Sequence, residues 1–139
     1  MRKAQPVDAK VVLVVEDDVD NRAINSMLLK HAGYRVIEAP DGASAMMLIK
    51  ARLPRLVLLD ISIPNIDGWA LAAWMKEWSL SRSIPIIGLS GHAEHESRER
   101  AARSGFAAYL TKPVEPREIL RQVKRFIGEP YETALRQAL

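Results

Sequence analysis

The run Leu56-Val57-Leu58-Leu59 ends directly in Asp60, and Ile61-Ser62-Ile63-Pro64-Asn65-Ile66-Asp67-Gly68 follows. An apolar run without alternation predicts a strand covered on both faces. A carboxylate at the end of such a strand is costly to bury unless something pairs with it. Pro64 and Asp67-Gly68 signal a tight loop just beyond. Whatever fold the chain adopts must enclose this strand and bring partners to Asp60.

The rest of the chain repeats the same grammar. Val11–Val15 is a second unbroken apolar run, and Glu16-Asp17-Asp18 stands at its end. Residues 34–39, 84–89 and 108–110 predict three more strands, the last two running into Ser90 and Thr111-Lys112-Pro113. Helices are expected between them. Asp20 is expected to cap a helix over 21–32, with Ile24, Met27, Leu28 and His31 on its apolar stripe and Gly33 closing it. A second helix runs from Asp41-Gly42 to Arg52. A third spans 68–78, with Leu71, Met75 and Trp78 inward and Trp69 partly exposed. A charged fourth helix covers 93–104. The fifth covers 115–127, with Ile119, Leu120, Val123, Phe126 and Ile127 at helical spacing. Five strand–helix alternations with short connections argue for an α/β fold, a parallel sheet wound on both faces by helices.

In such sheets ligands bind outside the carboxyl ends of the strands. Glu16, Asp17, Asp60, Ser90 and Lys112 all fall just there. Clustered carboxylates repel one another, so a cation is expected among them. Oxygen donors without Cys or His favour a hard ion, Mg²⁺ before zinc. Lys112 adds a positive point charge and Ser90 a hydroxyl. Together these groups suit a tetrahedral phosphoryl group beside Mg²⁺, and a carboxylate can act as nucleophile toward it.

Four segments in order carry a resemblance: Val14-Val15-Glu16-Asp17-Asp18, Leu59-Asp60 with Pro64 and Asp67-Gly68, Leu89-Ser90-Gly91-His92-Ala93, and Tyr109-Leu110-Thr111-Lys112-Pro113. The chain resembles the receiver domains of two-component response regulators over nearly its whole length. The resemblance implies a doubly wound, flavodoxin-like (βα)5 fold with strand order 2-1-3-4-5. It implies that Asp60 is the phosphoacceptor, with Lys112 contacting phosphoryl oxygens. Mg²⁺ would be held by Asp17, Asp60 and the backbone carbonyl of Ser62, and by Glu16 through water. Ser90 and Tyr109 would form the switch, and the bond before Pro113 is one that is often cis. Ile63 and Gly91 depart from the commoner methionine and alanine, and Ser62 and His92 occupy variable positions that tune phosphoryl lifetime.

The expected domain limits are a tail over 1–9, the receiver over 10–128 and a second tail over 129–139. The implied partner is a histidine kinase or a histidine phosphotransfer protein, with output through protein contacts and a phosphorylation-dependent homodimer through the 93–127 face as one form. Two alternatives stand beside the switch: a receiver module cut from a larger hybrid kinase or regulator, and a Mg²⁺-dependent phosphohydrolase with an aspartyl-phosphate intermediate. Against the second, Ser62 rather than an acid lies two residues beyond Asp60, and no cap insertion is present. The net charge of +3, with both signs mixed along the chain, gives no strong nucleic-acid signal. No apolar run approaches the length of about 18 residues that suggests a membrane span. The absence of cysteine agrees with the expected cytoplasmic location.

Overall fold

The computed structural model describes residues 9–91 and 95–132. Five strands, β1 (Val11–Val15), β2 (Arg35–Ala39), β3 (Leu56–Asp60), β4 (Ile86–Ser90) and β5 (Ala108–Thr111), alternate with five helices. These are α1 (Val19–His31), α2 (Gly42–Arg52), α3 (Gly68–Glu77), α4 (His95–Arg103) and α5 (Pro116–Ile127). The strands form one sheet in the order β2-β1-β3-β4-β5, every pair parallel. The order reverses between β1 and β3, which places the ends of those two strands at the crevice where such sheets bind ligands.

The unbroken apolar runs divide between two cores. Leu13, Val15, Val57, Leu59 and Ile86 pack with Ala45 and Ile49 of α2 and with Leu71, Ala72 and Met75 of α3. Val12, Val14, Leu56, Leu58, Ile87 and Leu89 pack on the other side, with Leu29 of α1 and with Ile119, Val123 and Ile127 of α5. Successive strand residues thus serve opposite faces, and helices cover both. Every residue of β3 and of β4 is buried.

Several boundaries differ from the sequence expectation. Helix α1 begins at Val19, and its cap is Asp18, whose carboxylate accepts from the Asn21 amide at 2.8 Å; Asp20 lies inside the first turn. The α1 stripe is also rotated. Ile24, Met27 and His31 are exposed and Leu28 is half-buried against the core, while Ser26 and Leu29 form the buried line. Periodicity located a helix but could not identify which line meets the sheet, because a small polar residue shares that line. Strand β4 starts at Ile86, since the Ile84 amide closes a turn onto the Ser81 carbonyl. Strand β2 starts at Arg35, and β5 continues to Thr111. Trp69 is half-buried, as expected. His92 and the expected start of the fourth helix at Ala93 lie outside the described residues.

The first residues of the expected C-terminal tail pack against the opposite end of the domain. The Lys10 amide donates to the Pro130 carbonyl at 2.9 Å, and the Lys10 ammonium donates to the Ile127 carbonyl at the end of α5. A Cβ on Gly33 would lie 2.9 Å from Pro130 Cγ, so the absence of a side chain there admits the proline.

Candidate functional site

Five of the expected site residues are delivered by strand ends, while Tyr109 lies within β5 and Ser62 in the loop after β3. Asp60 is the last residue of β3, and Ser90 is the last residue of β4. Glu16 and Asp17 follow β1 directly, with the Glu16 amide still bonded to the Ala39 carbonyl at 3.0 Å. Lys112 follows β5, and its amide donates to the Ser90 carbonyl at 2.7 Å. The Lys112-Pro113 peptide bond is cis.

The charged groups converge. Carboxylate oxygens of Glu16, Asp17 and Asp60 lie within 4.8 Å of one another. Lys112 Nζ is 3.0 Å from Asp60 Oδ2 and 3.8 Å from Glu16 Oε1. The other Asp60 oxygen, Oδ1, accepts from the Ser62 amide at 3.0 Å. Glu16 and Asp60 are buried, whereas Asp17 is exposed. Burial pushes the Glu16 carboxyl up to about 7, and its hydrogen bond with Asp60 reinforces that shift. Burial by itself pulls the Lys112 ammonium down, but its hydrogen bond to Asp60 and the charges of Asp60, Glu16 and Asp17 outweigh it, and its pKa is raised. Three acids held this close have one lysine among them, and the cost appears on Glu16. A divalent cation with oxygen ligands fits this donor set.

The loop after Asp60 forms a wall held by close backbone approach. A Cβ on Gly68 would lie 2.7 Å from Ile61 Cα, and the Gly68 amide donates to the Ile61 carbonyl at 3.1 Å. A Cβ on Gly42 would lie 2.1 Å from the Ile66 carbonyl oxygen. The starts of α2 and α3 therefore both press on this loop, and only glycine allows it. Asp67 caps α3 through the Ala70 amide at 2.8 Å. A Cβ on Gly91, by contrast, would meet nothing within 4 Å among the described residues.

Sequence reasoning missed one support. Arg22 of α1 donates to the Glu16 backbone carbonyl at 2.8 Å and to Glu38 Oε1 at 3.3 Å, pinning the acid-bearing turn. No spacing rule links an arginine on a helix to a carbonyl of the preceding turn. The nearest signal was its position one helical turn after Asp18.

A model of the response regulator receiver domain matches residues 12–124. The chain belongs to this family. Among curated relatives, a polar-differentiation response regulator, DivK, from Brucella anthropi is 30% identical over 120 residues, spanning 86% of this chain and 98% of DivK. An uncharacterized 14.6 kDa protein from Leptolyngbya boryana is 38% identical over 115 residues, spanning 83% of this chain and 88% of that protein. Among solved structures, a response regulator from Chloroflexus aurantiacus superposes with a TM-score of 0.81 at 29% identity, covering 87% of this chain and 99% of that one. The receiver domain of a sensor histidine kinase from Pseudomonas aeruginosa, crystallised with a magnesium ion coordinated in its active site cleft, superposes with a TM-score of 0.79 at 30% identity and the same coverage. The chain is thus a receiver domain of two-component signalling with the flavodoxin-like order 2-1-3-4-5. Receivers of this kind are phosphoacceptor signalling modules rather than conventional enzymes. No helix among the described residues is long and apolar enough to cross a membrane.

Proposed function

We propose that this receiver is a phosphorylation switch in which Asp60 accepts a phosphoryl group from a phosphohistidine on a histidine kinase or phosphotransfer protein. The observation that carries the reading is the 3.0 Å contact of Lys112 with Asp60 inside the acidic cluster. An Asp60 carboxylate oxygen forms the new O–P bond. The P–N bond to the imidazole breaks, and its electron pair stays on the ring nitrogen. Glu16, Asp17, Asp60 and the Ser62 backbone carbonyl would hold Mg²⁺. That ion supplies charge neutralisation at the transferring oxygens. Lys112, already beside Asp60, neutralises further charge on the phosphoryl oxygens.

Phosphorylation replaces the single negative charge of the Asp60 carboxylate with a phosphoryl group that carries about −1.5 to −2. Lys112 and the Ser90 hydroxyl then have a tetrahedral anion to bind. Because the Lys112 amide is tied to the Ser90 carbonyl, movement of either loop is felt by the other. Tyr109, on β5 between them and α4, conveys the change. Output passes by protein contacts on the face of α4, β5 and α5, including those of a phosphorylation-dependent homodimer.

Incubation with acetyl phosphate and Mg²⁺ tests the reading by mass spectrometry. The expected result is a gain of one phosphoryl group in the wild type and none in Asp60→Asn. No gain in the wild type, or an equal gain in both, overturns it.

A further inference from the structure

A tier of side chains beside Ser90 lies outside the acidic cluster and joins the core only through Phe106. The Trp69 ring, in the first turn of α3, stacks near Tyr109 of β5, with centroids 6.2 Å apart and planes 24° apart. Its other neighbour is Phe106, at 5.4 Å and tilted 43°. The Arg100 guanidinium of α4 lies 4.2 Å from the Trp69 ring centroid. Phe106 is itself seated on Gly88, where a Cβ would fall 2.6 Å from its ring, and Gly88 pairs in register with Tyr109. Three elements, α3, α4 and β5, therefore meet on one indole.

This tier borders the switch. Ile61, Ser90, Trp69, Arg100 and Tyr109 all line one cavity of about 340 Å³. Ile61 is the residue after Asp60, and Ser90 is buried at the end of β4. Tyr109 is half-buried at the wall of this cavity. Stacked and cation–π contacts favour one ring position over others, and each such contact is separately measurable.

We propose that Trp69 and Arg100 are positioning residues for Tyr109: their tier holds the Tyr109 ring beside Ser90 before any phosphoryl group arrives. The inference rests on the reading of Asp60 as phosphoacceptor and adds its regulation. When the competent arrangement is only partly populated, apparent affinity for the anion falls by that fraction. A tier that pre-sets Tyr109 raises the fraction and lowers the phosphorylation needed to reach the signalling state. It also runs the coupling outward, since Arg100 is exposed on α4. A protein seated on α4 that draws Arg100 from the indole would, by reciprocity, weaken anion binding at Asp60.

The test is a double-mutant cycle read by calorimetric titration with beryllofluoride and Mg²⁺, beryllofluoride standing in for the phosphoryl group. Trp69→Leu is expected to weaken binding about fivefold and Arg100→Ala about twofold, with Trp69→Phe close to wild type. In a Tyr109→Ala background, neither Trp69→Leu nor Arg100→Ala is expected to add a further loss, because the residue they act through is gone. A loss of the same size in both backgrounds marks a merely structural role and overturns the proposal, as does unchanged or tighter binding in the Tyr109 background of the wild type. Should Trp69→Leu fold poorly, Arg100→Ala, on an exposed helix face, carries the same cycle. If wild type and Asp60→Asn bind beryllofluoride equally, it is the phosphoacceptor reading itself that fails.

Discussion

Lys112 Nζ stands 3.0 Å from Asp60 Oδ2, a contact made across 52 positions of sequence. The ammonium also lies 3.8 Å from Glu16 Oε1. It therefore occupies part of the electrostatic role that a bound cation would share. Replacing Lys112 by methionine keeps the apolar stem and removes the charge. The expected result is Mg²⁺ affinity a few-fold tighter, because a competing charge is gone, while phosphoryl accumulation from acetyl phosphate falls about tenfold or more. Calorimetry reads the first and mass spectrometry the second. A parallel fall in both would show that Lys112 does no more than hold the fold.

The wall beyond Asp60 depends on missing side chains. Gly68→Ala would place a methyl 2.7 Å from Ile61 Cα, against backbone that cannot turn aside. The expected cost is about 1–3 kcal/mol in urea unfolding, with weaker Mg²⁺ binding as the Asp60 loop shifts. Gly91→Ala meets nothing within 4 Å among the described residues and should leave stability within about 0.5 kcal/mol of wild type.

The start of α1 gives a paired comparison. Asp18→Ala removes the carboxylate that accepts from the Asn21 amide, and about 1 kcal/mol of stability should go with it. Asp20→Ala leaves that cap intact and loses only a first-turn charge, an effect of about 0.3–1 kcal/mol. Denaturation midpoints that ranked the two in reverse order would contradict the observed helix start.

Tyr34 sets an alkaline limit. Its hydroxyl donates to the Gly128 carbonyl, and burial, with a contribution from Glu129, pushes its pKa up to about 12 from an ordinary 10. A raised pKa in the folded state means that folding favours the protonated phenol. Its contribution is complete below pH 10 and is lost as pH rises through 12. The amount at stake, discounted for the partial solvent access of the hydroxyl, is about 1–2 kcal/mol. Urea unfolding from pH 9 to 12 should show a decline in the wild type that is shallower in Tyr34→Phe.

Much of the site could be read from order along the chain. Asp60, Ser90 and Lys112 each end or follow a run of apolar residues, and a parallel sheet puts every such end on one edge. That inference needed only the alternation of elements, which the structure bears out. Lines of contact around a helix were harder to read. Of the expected α1 stripe, Ile24, Met27 and His31 face solvent and only Leu28 packs on the core, because Ser26, a residue no hydropathy pattern would choose, shares the buried line with Leu29. Arg22 could not be assigned either, since its partner is a backbone carbonyl, which carries no sequence signal.

The sequence by itself determined the parallel α/β class and the placement of Glu16, Asp17, Asp60, Ser90 and Lys112 at strand ends on one edge of the sheet, because strand period and strand ends are local properties. Only the tertiary structure decided that Lys112 bonds Asp60 more closely than Glu16, that Gly42 and Gly68 both brace the loop after Asp60, and that Trp69 links Arg100 to Tyr109. Those are distances between groups that the fold brings together. They depend on how helices rotate and close on the sheet, which residue spacing does not encode.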